Sequence, residues 1–276
     1  MSTAENITTL PLQISERERP GPLRRSIRRQ PVVAFFVLAY AFSWSLSLVY
    51  LLTRSGPAIL SCGPFLAAAV VLGATQGRSG LRALFASMLR WRVGYRWWAV
   101  AIAAPVLVTA AATGLNLALG AETPAADDVG RWTNVVPTAL VILLFPGLGG
   151  AWEEPGWRGY ALRRLLERGG PVVSSLILGV LWSGWHVPVF LVGDQHWSDL
   201  LLVVEVTVVL TWLFQNALGS VLVAMVFHAL NNAVSGEYCS QMFDGADSTR
   251  QSWLLCVVWG VIAVSLHTTR RLHATR

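Results

Sequence analysis

Four places in the chain set polar or ionisable side chains inside apolar runs: Glu153-Glu154 with Arg158, His186, Glu205, and His228 with Asn231 and Asn232. An ionisable group inside hydrocarbon costs at least about 2.5 kcal/mol on insertion scales, so each place is a candidate site. Two acids, an Arg, two His and an Asn together make a hydrolytic set. A carboxylate beside a His can position and deprotonate a water. A second His and an Asn amide can donate hydrogen bonds to the oxyanion of a tetrahedral intermediate. The other use is zinc, with Glu153, His186 and His228 as three ligands and water as the fourth. Neither an HExxH helix nor a Gly-x-Ser-x-Gly element is present, since Val-Pro-Val-Phe follows His186 and Ala-Leu-Asn-Asn follows His228.

Spacing sorts these residues into roles. In FPGLGGAWEEPGWRGY (145–160), Glu154 and Arg158 are four apart and share a helix face, with Glu on the favoured N-terminal side. Glu153 points about 100° away around the same helix. One carboxylate can therefore be neutralised by Arg158 while the other stays free. Pro155 has no N–H, so the carbonyl of Ala151 is expected to lose its helical donor. Such breaks at membrane depth persist only where protein or a wet cavity covers the backbone. Glu153 and His186 lie equally far from Gly169-Gly170, where their two spans are joined, so an antiparallel pair brings them to similar depth. His228 and Asn232, four apart, project from one face. Glu205, in LLVVEVTVVL, has no obvious partner and stays unassigned.

The elements that must hold these groups are membrane helices. The 276 residues are 54% hydrophobic and only 13% charged, with a mean hydropathy of +0.53. A soluble domain carries about 25% charged residues, so this composition excludes the soluble, disordered, collagen-like and disulfide-scaffold classes. A bilayer-crossing helix needs about 20 mostly apolar residues. Eight stretches qualify: roughly Pro31–Leu52, Pro57–Thr75, Trp97–Leu119, Val135–Trp152, Pro171–Val192, Leu200–Gln215, Ser220–Val234 and Ser252–His267. The expected fold is all-α, a polytopic membrane helix bundle with both termini cytoplasmic. Residues 1–30 are expected to be a disordered Arg-rich cytoplasmic tail, 31–267 a single transmembrane domain with its core at about 135–235, and 268–276 a second cytoplasmic tail. The segment Arg78–Trp98 alternates Arg with Leu, Phe and Trp and reads as a helix lying in the interface.

The net charge of +6 comes from 21 basic residues, every one an Arg. With an internal N-terminus, all but Arg54, Arg131 and Arg250 fall in internal segments, the bias that orients membrane helices. The charge therefore points to topology rather than to nucleic acid, and the expected partners are the lipid bilayer and a membrane-associated peptide or protein. The three cysteines, Cys62, Cys239 and Cys256, show neither metal spacing nor a disulfide framework.

Glu153-Glu154-x-x-x-Arg158, then an aromatic-x-x-x-His from Trp182 to His186, then His228-x-x-x-Asn232, resemble the three motifs of the CAAX prenyl protease and bacteriocin-processing family. This family, also called Abi or type II CAAX protease, consists of intramembrane glutamic endopeptidases. The resemblance runs from about Pro146 to Ser235, and order and spacing agree throughout. Position 182 departs by carrying Trp where the family usually has Phe. The resemblance implies a helical fold with a membrane-embedded cavity open to the cytosol. It assigns Glu153 as the water-activating base, His186 as its assistant, His228 and Asn232 as the oxyanion site, and Glu154 and Arg158 as supports. It favours catalysis without a metal, with zinc as the alternative. CAAX-type processing, bacteriocin maturation, self-immunity and regulated cleavage of a membrane protein are all substrate classes it allows. An all-Arg chain rich in Ala, Val, Leu and Gly further points to a GC-rich bacterial genome and a plasma-membrane location. The competing class is a non-catalytic scaffold or permease. A permease should show inverted repeats, and the breaks at Pro155 and Pro188 are not accompanied by one.

Overall fold

Prolines and glycines, which end helices, decide where the polar residues of this chain come to rest. A computed structural model describes residues 21–125, 131–192, 196–236 and 241–274, and among them every regular element is helical. We label the helices α1 (Pro22–Arg29), α2 (Pro31–Thr53), α3 (Gly63–Thr75), α4 (Arg78–Met88), α5 (Tyr95–Ala118) and α6 (Val135–Leu144). They continue as α7 (150–166), α8 (Pro171–Trp185), α9 (Val187–Leu191), α10 (Asp199–Asn216), α11 (Val221–Asn231, extended by a π turn Asn232–Gly236) and α12 (Gly245–Ala274). α2, α5, α10 and residues Gly245–Leu266 of α12 are long and apolar enough to cross a membrane. Four shorter apolar helices, Gly63–Thr75, Trp132–Leu144, Pro171–Trp185 and Val221–Gly236, take the remaining expected spans. The chain thus forms a polytopic helix bundle.

Short helices mark the interior. A helix of 13 residues such as α3 rises only about 20 Å, less than the roughly 30 Å hydrocarbon core. The long α2 instead turns Val33, Val37, Leu48 and Leu52 outward and buries a narrow stripe of Phe35, Ala39 and Ser43. A stretch that carries two glutamates and an arginine is nonetheless enclosed, since residues 150–162 of α7 are buried apart from Trp152. Apolar outside and ionic inside is the arrangement a bilayer selects, because only protein can satisfy polar groups there.

Polar side chains and small residues hold the helices together. Tyr40 Oη and Trp44 Nε1 of α2 donate to the carbonyls of Leu181 and Trp185 in α8, the latter at 2.9 Å. Ser183 Oγ of α8 donates to the Leu200 carbonyl of α10 at 2.9 Å. α7 meets α3 at Gly156, where a Cβ would lie 2.4 Å from the backbone oxygen of Pro64.

Three expectations need correction. The head is not structureless up to Gln30: Pro22–Arg29 is helical, and Arg24 and Arg28 donate from Nε to the Ala74 carbonyl at 3.2 and 2.9 Å. A cation on a carbonyl at the C-terminal end of α3 satisfies a group that has no intrahelical partner. Residues 1–20 of that tail lie outside the described residues, and residues 268–274 continue α12. The interfacial segment is not one helix: Arg78–Met88 is helical, residues 89–94 form a connection pinned by Arg90 Nη1 on the Leu218 carbonyl at 2.9 Å, and residues 95–98 open α5. The span expected from Val135 to Trp152 stops at Leu144. Phe145, preceding a proline, is extended, and Gly147 and Gly149 have φ of +92° and +74°, which glycine alone adopts easily.

Candidate active site

The turn after α6 delivers Glu153 into the interior at the start of α7. Trp152 Nε1 donates back to the Leu143 carbonyl at 3.0 Å, which closes the turn. Winding then changes three times along α7: 3₁₀ over Gly150–Glu153, α over Glu154–Gly156, π over Trp157–Leu162 and α again over Arg163–Leu166. The carbonyl of Ala151, expected to lose its donor at Pro155, instead accepts from the Glu154 N–H one residue earlier. Pro155 therefore changes the pitch of the helix without ending it, and a single tightened turn satisfies the backbone.

The two neighbouring glutamates have different surroundings. Glu154 is fully buried and its Oε1 accepts from Arg158 Nη1 at 2.9 Å, the expected (i, i+4) pair. The same oxygen also accepts from His228 Nδ1 at 2.7 Å. Glu153 is 4% exposed and has no cation partner among the described residues. Its Oε2 accepts from two indoles, Trp182 Nε1 at 2.7 Å and Trp157 Nε1 at 3.2 Å. Its Oε1 accepts no hydrogen bond among the described residues.

His186 sits between α8 and α9, at the break that Pro188 imposes. Its Nδ1 lies 2.8 Å from the Trp182 carbonyl. A carbonyl only accepts, so Nδ1 carries the hydrogen and Nε2 of the neutral ring keeps a lone pair. The expectation of similar depth for Glu153 and His186 meets this geometry: Glu153 bonds Trp182, one turn before His186 on the same helix. The Trp182 ring lies 5.6 Å from the His186 ring and 5.3 Å from that of His228. Its face lies 4.4 Å from the Arg158 guanidinium, within cation–π range. Asn232 follows one turn after His228, where α11 widens into its π turn; its half-buried side chain makes no hydrogen bond among the described residues.

Glu205 stands apart, on α10 against α12. Its Oε1 would be 3.0 Å from a Cβ at Gly260, and Oε2 is buried without a partner among the described residues. Cys62 and Cys256 are free thiols, and Cys239 lies outside the described residues. No three His, Cys, Asp or Glu side chains converge to hold a metal ion among the described residues.

Sequence reasoning missed three participants. Trp157 was within reach, because it follows Glu153 by four residues just as Arg158 follows Glu154. The Trp182 N–H gives no such local signal. Gly150 is the third: a Cβ there would fall 2.1 Å from His228 Nε2, so only glycine lets the α6–α7 turn pass beneath that ring.

A buried carboxylate without a cation, two histidines and a free amide on converging helices define a candidate hydrolase site inside a membrane bundle. Residues 132–234 match the family described as Rce1-like, type II CAAX prenyl endopeptidase. Over 112 residues the chain is 30% identical to a protein named CAAX prenyl protease 2 from the archaeon Methanococcus maripaludis. That match covers 36% of this chain and 40% of the relative. The family match falls on the part of the chain from α6 to the π turn after α11 that holds the three motifs, and the chain spans less than half the length of the relative it matches.

Proposed function

We propose that the chain is an intramembrane endopeptidase that hydrolyses peptide bonds of membrane-associated or lipidated substrates by glutamate-activated water. The observation that carries this reading is the asymmetry of the acid pair: Glu154 is bound by Arg158 and His228, while Glu153 has an open Oε1 and no cation. A carboxylate that is buried but unpaired is available as a base. A water held between Glu153 Oε1 and the lone pair of His186 Nε2 gives its proton to Glu153 as its oxygen bonds to the substrate carbonyl carbon. The carbonyl oxygen becomes an oxyanion, which accepts hydrogen bonds from Asn232 Nδ2 and a protonated His228 Nε2. Collapse of the intermediate breaks the C–N bond, and the proton on Glu153 passes to the leaving amine.

No step requires a metal. The zinc alternative would use Glu153, His186 and His228 as ligands, with the same residues and the same substrate class. The reading places the protein in the cell membrane, with the Arg-rich segments and both termini in the cytoplasm and no nucleic acid among its partners. The relative's name makes a CAAX-type substrate the first to test, and peptide maturation the second.

The decisive experiment compares protein termini in membranes from cells expressing the chain or its Glu153→Gln form. New termini present only with the intact glutamate are expected, and they would name the substrates. Identical profiles at equal expression would overturn the reading and favour a scaffold or binding role.

A further inference from the structure

We propose that Trp157 and Trp182 are positioning residues that grip one oxygen of Glu153 and leave the other for water; the reading rests on the proposed hydrolytic function. Both indoles donate to Oε2, and neither reaches Oε1. An indole N–H donates but cannot accept, so the pair cannot compete with Glu153 for the water's proton. Two donors converging on one carboxylate oxygen also fix the rotation of the carboxyl plane, which decides where Oε1 points.

Each indole is itself held. Trp157 is fully buried among Phe35, Phe36 and Trp185, with ring centroids at 5.6, 6.1 and 5.8 Å. Trp182 is fixed by the Arg158 guanidinium over its ring at 4.4 Å. The same Arg158 pairs with Glu154, so the supports of the two glutamates share one cation. A phenyl ring at position 182 would preserve the contact with Arg158 but has no hydrogen to donate to Glu153.

The test uses the full chain in proteoliposomes, with Trp182→Phe and Trp157→Phe made singly and together. Two readouts are needed. The infrared carboxyl band of Glu153, assigned by its loss in Glu153→Gln, reports the grip without any substrate. Cleavage of a farnesylated peptide ending in a CAAX box reports its use. We expect the band to shift in each variant and kcat to fall roughly 10- to 100-fold in Trp182→Phe, with KM and the unfolding temperature unchanged. A merely structural tryptophan would move the unfolding temperature and leave the band in place. An unchanged band overturns the proposal, and so does a shifted band with unchanged kcat. If the band shifts but the parent protein leaves this peptide and the membrane protein termini unchanged, the grip stands and the protease reading fails.

Discussion

His228 Nδ1 reaches Oε1 of Glu154 at 2.7 Å, across 74 residues of chain. Arg158 makes the Glu154 carboxylate an acceptor, so the hydrogen in this bond belongs to His228 Nδ1. The neutral ring then presents only a lone pair at Nε2. His228 can donate to an oxyanion only as the imidazolium, and Glu154 supplies the nearby negative charge. Glu154 is therefore more than a brace for Arg158: it also orients the ring of a second candidate site residue.

Removing either member of a buried ion pair leaves an uncompensated charge, which costs about 3–5 kcal/mol. Glu154→Ala and Arg158→Ala are expected to lower membrane yield and unfolding temperature well below those of Glu153→Ala, and to abolish cleavage. Thermal unfolding in detergent checks this. Equal unfolding temperatures for the three variants would show that the pair is not structural.

Gly150→Ala sets a methyl 2.1 Å from His228 Nε2, and one of the two must move. A displacement on the order of 1 Å at a reacting group costs about 100-fold in rate. Cleavage by Gly150→Ala is expected to fall by that order. Gly73→Ala, on α3 with open space around its Cβ, should leave cleavage unchanged. Equal activity in both would mean that the His228 ring is not confined by the α6–α7 turn.

Metal dependence separates the glutamate mechanism from the zinc alternative, which uses the same three side chains. Treatment with 1,10-phenanthroline is expected to leave the rate of terminus formation unchanged, and purified protein to hold far less than one zinc per chain. Loss of activity that added zinc restores would install the metal mechanism and reassign Glu153 from base to ligand.

Much of this architecture was legible in the chain because it depends on composition and local spacing. Low charge and long apolar runs specified a membrane bundle, and each expected span contains an apolar helix, although several ends differ. The Glu154–Arg158 pair followed from its four-residue interval. The helix from Val135 to Trp152 and the interfacial helix through Trp98 were misjudged where apolar runs continue past residues that turn the backbone, at Phe145–Gly149 and at residues 89–94.

The pairings that give each acid its role needed the tertiary structure. Trp182 reaches Glu153 across 29 residues and His228 reaches Glu154 across 74. Helical periodicity predicts which residues share a face of one helix. It cannot predict which atoms of two helices meet within 3 Å, because that depends on crossing angle, depth and the close approach that Gly150 and Gly156 permit. Sequence spacing marked one glutamate as paired and left the other free. Only the packing of α7, α8 and α11 decided that Trp182 reaches the free one and that its neighbour holds a histidine.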